Sequence, residues 1–118
     1  MSDVTQRVLE HHLQSFATSD LEGILSDYTE ESFLILPDGA VVQGLAQLKP
    51  VFEAFFAEFG KPGMTFNLVT TTVKDDVAFI AWTAETADNV HDLGSDTFVV
   101  KDGKIAAQTF ASKTTPKS

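Results

Sequence analysis

Over most of the C-terminal half of the chain, hydrophobic and polar positions alternate with a period of two. From residue 76 to 87, Val77, Phe79, Ala81, Thr83 and Glu85 fall on one face, and Ala78, Ile80, Trp82, Ala84 and Thr86 on the other. Both faces are largely apolar. Residues 96–100 and 105–110 repeat the pattern and are joined by Lys101, Asp102, Gly103 and Lys104. Asp-Gly between two β-rich runs signals a hairpin, because glycine takes a positive φ at little cost. Three consecutive antiparallel strands are predicted. A sheet apolar on two faces must be covered twice, by helices on one side and, we expect, by a second subunit on the other.

The first half carries helical spacing. Val8, Leu9, His12, Leu13 and Phe16 form one stripe of a helix over 4–18, with Asp3 as its cap. Ser19 and Glu22 stand at capping-box spacing and open a short second helix over about 21–28, which buries Ile24, Leu25 and Tyr28. Residues 32–36 read as a strand, stopped by the turn residues Pro37, Asp38 and Gly39, and 40–43 as its short return. A third helix over 44–59 presents Leu48, Phe52, Phe55, Phe56 and Phe59. Pro50 lies inside it, lacks an N–H, and predicts a kink or restart. Gly60 and Pro62 end it. Residues 64–73, rich in β-branched side chains, form the next strand. Residues 88–94 read as a hairpin near Asp88 with Gly94 at a bulge or bend. The element order α-α-β-β-α-β-β-β-β is an α+β layout. It forms a single domain over 1–112, with 113–118 as a frayed tail.

Composition narrows the function classes. The chain has 118 residues, 43% of them hydrophobic, including ten phenylalanines, which excludes a disordered chain and suits one core. The net charge of −9, from 17 acidic and 8 basic residues, repels phosphates, so neither nucleic acid nor an anionic membrane is an expected partner. No apolar run approaches the roughly 20 residues of a bilayer span, and no basic segment followed by an apolar one marks a secretory signal. With no cysteines there is no disulfide or thiolate chemistry, and a cytoplasmic location is expected. Three histidines without ligand spacing make no metal site, and no cofactor is expected.

Residues 19–28, the Pro37-Asp38-Gly39 turn with Val42, Gln43 and Gly44, and the segment from Asp96 through Gly103 to Ile105 together span nearly the whole chain. Their joint spacing resembles the nuclear transport factor 2-like superfamily, which includes ketosteroid isomerases and SnoaL-like, polyketide-cyclase-like proteins. The resemblance implies a cystatin-like cone, a curved antiparallel sheet wrapped around a long helix with a deep apolar pocket, and often a homodimer through the sheet's outer face. Ketosteroid isomerases place a tyrosine on the first helix and an aspartic acid on a late strand, both donating to the substrate oxygen, with an aspartate base just before a proline. In this chain the tyrosine position is His12, the base position is Leu36 before Pro37, and the late acid is retained as Asp96. Steroid isomerisation by that route is therefore not expected.

By alternation, Asp96 shares a face with Phe98 and Val100. If that face lines the pocket, desolvation keeps the acid protonated near neutral pH, able to donate a hydrogen bond, the logic by which ketosteroid isomerases hold an acid neutral. The bland alternative is an ionised carboxylate at the mouth or one bonded to a backbone amide. His12 is its expected partner for acid–base work, although a histidine on an apolar stripe is commonly a hydrogen-bonded core residue. His11 and His91 are expected at the surface. Phe16, Tyr28, Leu36, Phe52, Phe55, Phe56, Thr83, Glu85, Phe98, Gln108 and Phe110 are expected to line a pocket for a small apolar or cyclic ligand. Ile80 and Trp82 then face outward, where a partner subunit would bury them. Three functions remain open at this point: a cofactor-free isomerase, cyclase or dehydratase, a non-catalytic binder of a hydrophobic ligand, and a dimerising module whose cavity is filled by phenylalanine.

Overall fold

The computed structural model describes residues 2–117. Three helices and six strands follow in the expected order: α1 (Ser2–Ala17), α2 (Leu21–Leu25), β1 (Phe33–Ile35), β2 (Val41–Gln43), α3 (Leu45–Phe59), β3 (Thr65–Lys74), β4 (Val77–Glu85), β5 (Asn89–Lys101) and β6 (Lys104–Pro116). The architecture is α+β with a six-stranded curved sheet. Its strand order is β2-β1-β6-β5-β4-β3. All neighbours are antiparallel except β1 and β6, which pair in parallel through Leu34 and Gln108. The sheet is thus not wholly antiparallel. The chain leaves β1, makes the β2 hairpin and α3, and fills the far side of the sheet before β6 returns to β1.

Local chemistry sets the boundaries. Asp20, rather than Ser19, caps α2: its carboxylate accepts from the Gly23 N–H at 3.0 Å. Asp3 sits in the first turn of α1 rather than at its cap, and α2 ends at Leu25, three residues short of Tyr28. Pro50 does not divide α3, which runs as one helix from a start at Gly44. At this position Pro50 forfeits a single hydrogen bond near the first turns, and the apolar face of Leu48 and Phe52, both buried, holds the helix together. Asp102 and Gly103 both have positive φ, 53° and 75°, as a two-residue hairpin turn with the twist of its strands requires.

The core lies between α1 and α3 and the concave face of the sheet, with Leu9, Ile24, Leu34, Leu48, Phe52, Phe98 and Ile105 almost fully enclosed. Burying each side chain of this size contributes roughly 1.5–3 kcal/mol. The register of β4 overturns one expectation. Ala78, Ile80, Trp82 and Ala84 stand opposite Phe98, Asp96, Gly94 and His91 of β5, and cross-strand partners share a face. Ile80 and Trp82 therefore point into the core and are not a subunit contact. Val77, Phe79, Ala81, Thr83 and Glu85 point outward, and Val77 and Phe79 remain 42% and 36% exposed. Alternation alone had two apolar faces to choose from. The tail is shorter than expected as well: Lys113, Thr114, Thr115 and Pro116 pair with β5, extending β6 well past residue 112.

Candidate functional site

A cavity of about 290 Å³ opens between α1, α3 and the concave sheet face. Helix α1 supplies His12, Leu13 and Phe16, and α3 supplies Phe52, Phe55, Glu58 and Phe59. The sheet supplies Phe66, Ile80, Trp82, Asn89, His91, Asp96, Gln108, Phe110, Ser112 and Thr114. The wall is mostly aromatic, with two separate sets of polar groups.

The first set is centred on Asp96 of β5. Its carboxylate accepts from the Trp82 Nε1–H at 2.8 Å and from the Gln108 Nε2–H at 2.9 Å, one donor to each oxygen. Gln108 Oε1 in turn accepts a short hydrogen bond from the Tyr28 hydroxyl, and the Tyr28 oxygen lies 3.5 Å from His12 Nδ1. A connected series of side chains thus runs from the imidazole of α1 to the carboxylate of β5. His12 and Asp96 line one cavity but are bridged by Tyr28 and Gln108 rather than bonded to each other.

Burial decides the protonation states. Desolvation pushes the Asp96 carboxyl up to about 6, against the lowering effect of the Trp82 and Gln108 hydrogen bonds. The direction is the expected one. Its extent leaves the carboxylate the major form at pH 7, so Asp96 acts chiefly as an acceptor or base and only below about pH 6 as a donor. Desolvation, with a smaller effect from neighbouring His11, lowers His12 to about 3, so its imidazole is neutral. Tyr28 is pushed well above its usual range by burial and by the charges of Asp96 and Asp27, and it stays a hydroxyl donor.

The second set joins α3 to the β4–β5 hairpin. Glu58 Oε2 accepts from Thr86 Oγ1 and Asn89 Nδ2, each at 2.8 Å, and from His91 Nε2 at 3.0 Å. Burial raises the Glu58 carboxyl, but the hydrogen bonds from Asn89, His91 and Thr86 outweigh it, so it sits below the usual range. His91 is only 7% exposed, stacked on Phe59 with ring centroids 5.1 Å apart and packed against Trp82. It is not a surface residue. The ladder skips a residue between His91 and Leu93, and this bulge puts both His91 and Asp96 on the inner face although their numbers differ by an odd count.

Of the side chains expected at the site, His12, Phe16, Phe52, Phe55, Asp96, Gln108 and Phe110 line the cavity. Tyr28 and Phe98 are buried behind it: Tyr28 in the hydrogen-bond series, Phe98 edge-on to His12 at 5.0 Å. Phe56 packs on Phe16, and Leu36 belongs to the partly buried rim of the core. Thr83 and Glu85 lie on the other face of the sheet, where Glu85 pairs with Lys117 Nζ at 2.7 Å. Trp82, Glu58, Asn89, His91, Ser112 and Thr114 complete the site. Only the bulge hides His91 from a period-two reading, and Glu58 falls on the same face of α3 as Phe55 and Phe59. His11 is half-exposed and bonds both Asp27 oxygens, away from the cavity. Among the described residues no cluster of three metal-ligating side chains is present, and no helix is long and apolar enough to cross a membrane.

A family model described as a SnoaL-like domain matches residues 9–108. Comparison with curated proteins finds no match. Many solved structures share the fold. A nuclear transport factor 2-like protein of unknown function from Mesorhizobium loti is 23% identical, with 95% of this chain and 93% of that one covered at a TM-score of 0.76. A candidate ketosteroid isomerase from Kribbella flavida is 14% identical, covering 94% and 78% at 0.77. IdmH from Streptomyces antibioticus, a candidate polyketide cyclase, is 15% identical, covering 92% and 91% at 0.72. At these identities the likeness is one of fold.

Proposed function

This chain belongs to the SnoaL-like domain family, and from that premise we propose that it is a small-molecule pocket protein performing cofactor-free acid–base chemistry on a hydrophobic cyclic ligand. The observation that carries the reading is Asp96: a carboxylate on an aromatic cavity wall, fixed by one N–H donor on each oxygen and tuned to about 6. A base close to working pH combines a large ionised fraction with useful proton affinity. Its role is to take a proton from carbon beside a ligand carbonyl, the step shared by isomerisation, enol-based cyclisation and dehydration, and in an isomerisation to return it at another position. Neutral His12 has one N–H to give and one lone pair to receive, and it orients the ligand oxygen. The aromatic walls exclude water and hold the ring.

The second reading is a binder that turns nothing over. It is favoured by Leu36, which occupies the position of the isomerase base and packs into the rim of the core. A module filled solely by phenylalanine fits less well, because the cavity beside Asp96 is open. The exposed Val77 and Phe79 on the outer sheet face are the side chains that dimerisation there would cover.

The test is deuterium exchange at the α-carbons of 2-tetralone, a ring-fused ketone, followed by proton NMR in heavy water. The protein should accelerate exchange, and Asp96→Asn should slow the catalysed rate by about 100-fold or more. Saturable binding without accelerated exchange would select the binder instead.

A further inference from the structure

We propose that Glu58, His91, Ser112 and Thr114 form a second polar subsite of the cavity that binds a ligand hydroxyl at His91 Nδ1, so that the preferred ligand is an apolar ring system bearing two oxygen functions. The inference rests on the cavity being a ligand site, as proposed above, and assigns the side chains that select among ligands.

The argument is one of hydrogen-bond accounting. Glu58 is an ionised acceptor, so in the neutral imidazole the nitrogen facing it, Nε2, is the one that carries the proton. Nδ1 is then the lone-pair nitrogen. Its neighbours are Thr114 Oγ1 at 3.2 Å and Ser112 Oγ at 3.4 Å, both long for a hydroxyl donor. Those two hydroxyls also bond each other at 2.7 Å, which engages one of their two protons and leaves the other to reach Nδ1 only at the longer distance. A nearly buried acceptor beside the cavity thus has a single long hydroxyl donor. A ligand O–H would supply a shorter bond and release that hydroxyl proton to donate to the same ligand oxygen. The imidazole cannot turn away: Phe59 stacks on it, Trp82 packs beside it and Glu58 holds its far nitrogen. Trp82 touches both polar sets, its Nε1–H on Asp96 and its ring against His91. One planar ligand in contact with the indole can therefore present an oxygen to each.

The experiment compares 2-naphthol, with one oxygen, and 2,6-dihydroxynaphthalene, with two, by calorimetric titration. The diol is expected to bind the protein about tenfold more tightly than 2-naphthol. His91→Phe, which keeps the aromatic stack, should bring that ratio to near one. Thr114→Val, on an exposed strand position, should reduce the ratio in part. Nitrogen-15 NMR of the unmodified protein at about pH 8 should show His91 as the Nε2–H tautomer, with Nδ1 shifting when the diol binds. Equal affinities for the two probes, a ratio unmoved by His91→Phe, or the Nδ1–H tautomer would overturn the subsite and leave the cavity reading standing. Binding of neither probe would overturn both.

Discussion

Gly94 of β5 stands directly opposite Trp82 of β4, and the indole occupies the space that any β-carbon at position 94 would need. This glycine is required for close approach rather than for a turn. It lets the ring lie flat across β5, which is the orientation that brings Nε1–H to Asp96 and the ring face to Phe66. Gly94→Ala should force the ring aside and destabilise the protein by about 1–3 kcal/mol, the usual cost of overpacking. Trp82 is the only tryptophan, so its fluorescence reports the displacement directly. An unchanged emission spectrum with unchanged urea midpoint would refute it.

Asp96 gives the pH dependence a definite sign. Its folded-state pKa is raised from 3.8 to about 6 by burial. The folded state therefore holds this proton more tightly than the unfolded chain. Stability from this group is fully present below about pH 4 and is lost as pH rises through about 6. Asparagine imitates the protonated acid, so Asp96→Asn should gain on the wild type by up to about 3 kcal/mol between pH 4 and pH 7. Urea unfolding of both proteins at the two pH values measures this double difference. A gap that stays constant, or narrows as pH rises, contradicts the burial of the carboxyl. In the exchange assay the same ionisation should appear as a rate that rises with pH through an apparent pKa near 6.

Tyr28 links the two ends of the hydrogen-bond series, and its removal tests whether that series is closed. Tyr28→Phe keeps the ring but leaves Gln108 Oε1 without its donor in a buried setting. The expected cost is about 1–3 kcal/mol, the penalty for an orphaned buried acceptor. Freed on one side, Gln108 should hold Asp96 less firmly, and the apparent pKa near 6 should rise further. If the variant unfolds at the same urea concentration and the ionisation does not move, Gln108 has another partner and the series is not a unit.

These contacts show where sequence stops being sufficient. The β5–β6 hairpin was legible because Asp102 and Gly103 fix its turn, and alternation from that turn places Asp96, Phe98, Gln108 and Phe110 on the inner face. Helix α1 was legible because one apolar stripe leaves a single way to face His12 and Phe16 inward. The β4 strand was not, since both of its faces are apolar and only its pairing with Gly94 and Asp96 selects Ile80 and Trp82 for the inside. His91 was hidden because Gly94 signals a bulge or bend without fixing which residue is skipped, and that decides which side chains turn inward. The pairing of Lys113 through Pro116 was hidden because polar side chains along an exposed strand look like a tail. In each case the deciding term is a cross-strand partner remote in sequence.

The outer sheet face yields the last prediction. With Ile80 and Trp82 turned inward, that face presents Val77 and Phe79 beside smaller side chains including Ala81, Thr97 and Val99. Two exposed apolar side chains on a β4 otherwise protected on its inner face favour covering by a second copy, because apolar area removed from water contributes roughly 25 cal/mol per Å². Sedimentation velocity should then give a particle of twice the chain mass. Phe79→Glu adds charge to a surface already at −9 and should convert the particle to a monomer, since like charges brought together at an interface cost several kcal/mol. The cavity lies across the sheet from this position, so 2-naphthol affinity should survive the substitution. A wild-type protein that sediments as a monomer would refute the dimer, and a Phe79→Glu variant that remains dimeric would move the interface elsewhere; either leaves the inner face as the functional surface of the sheet.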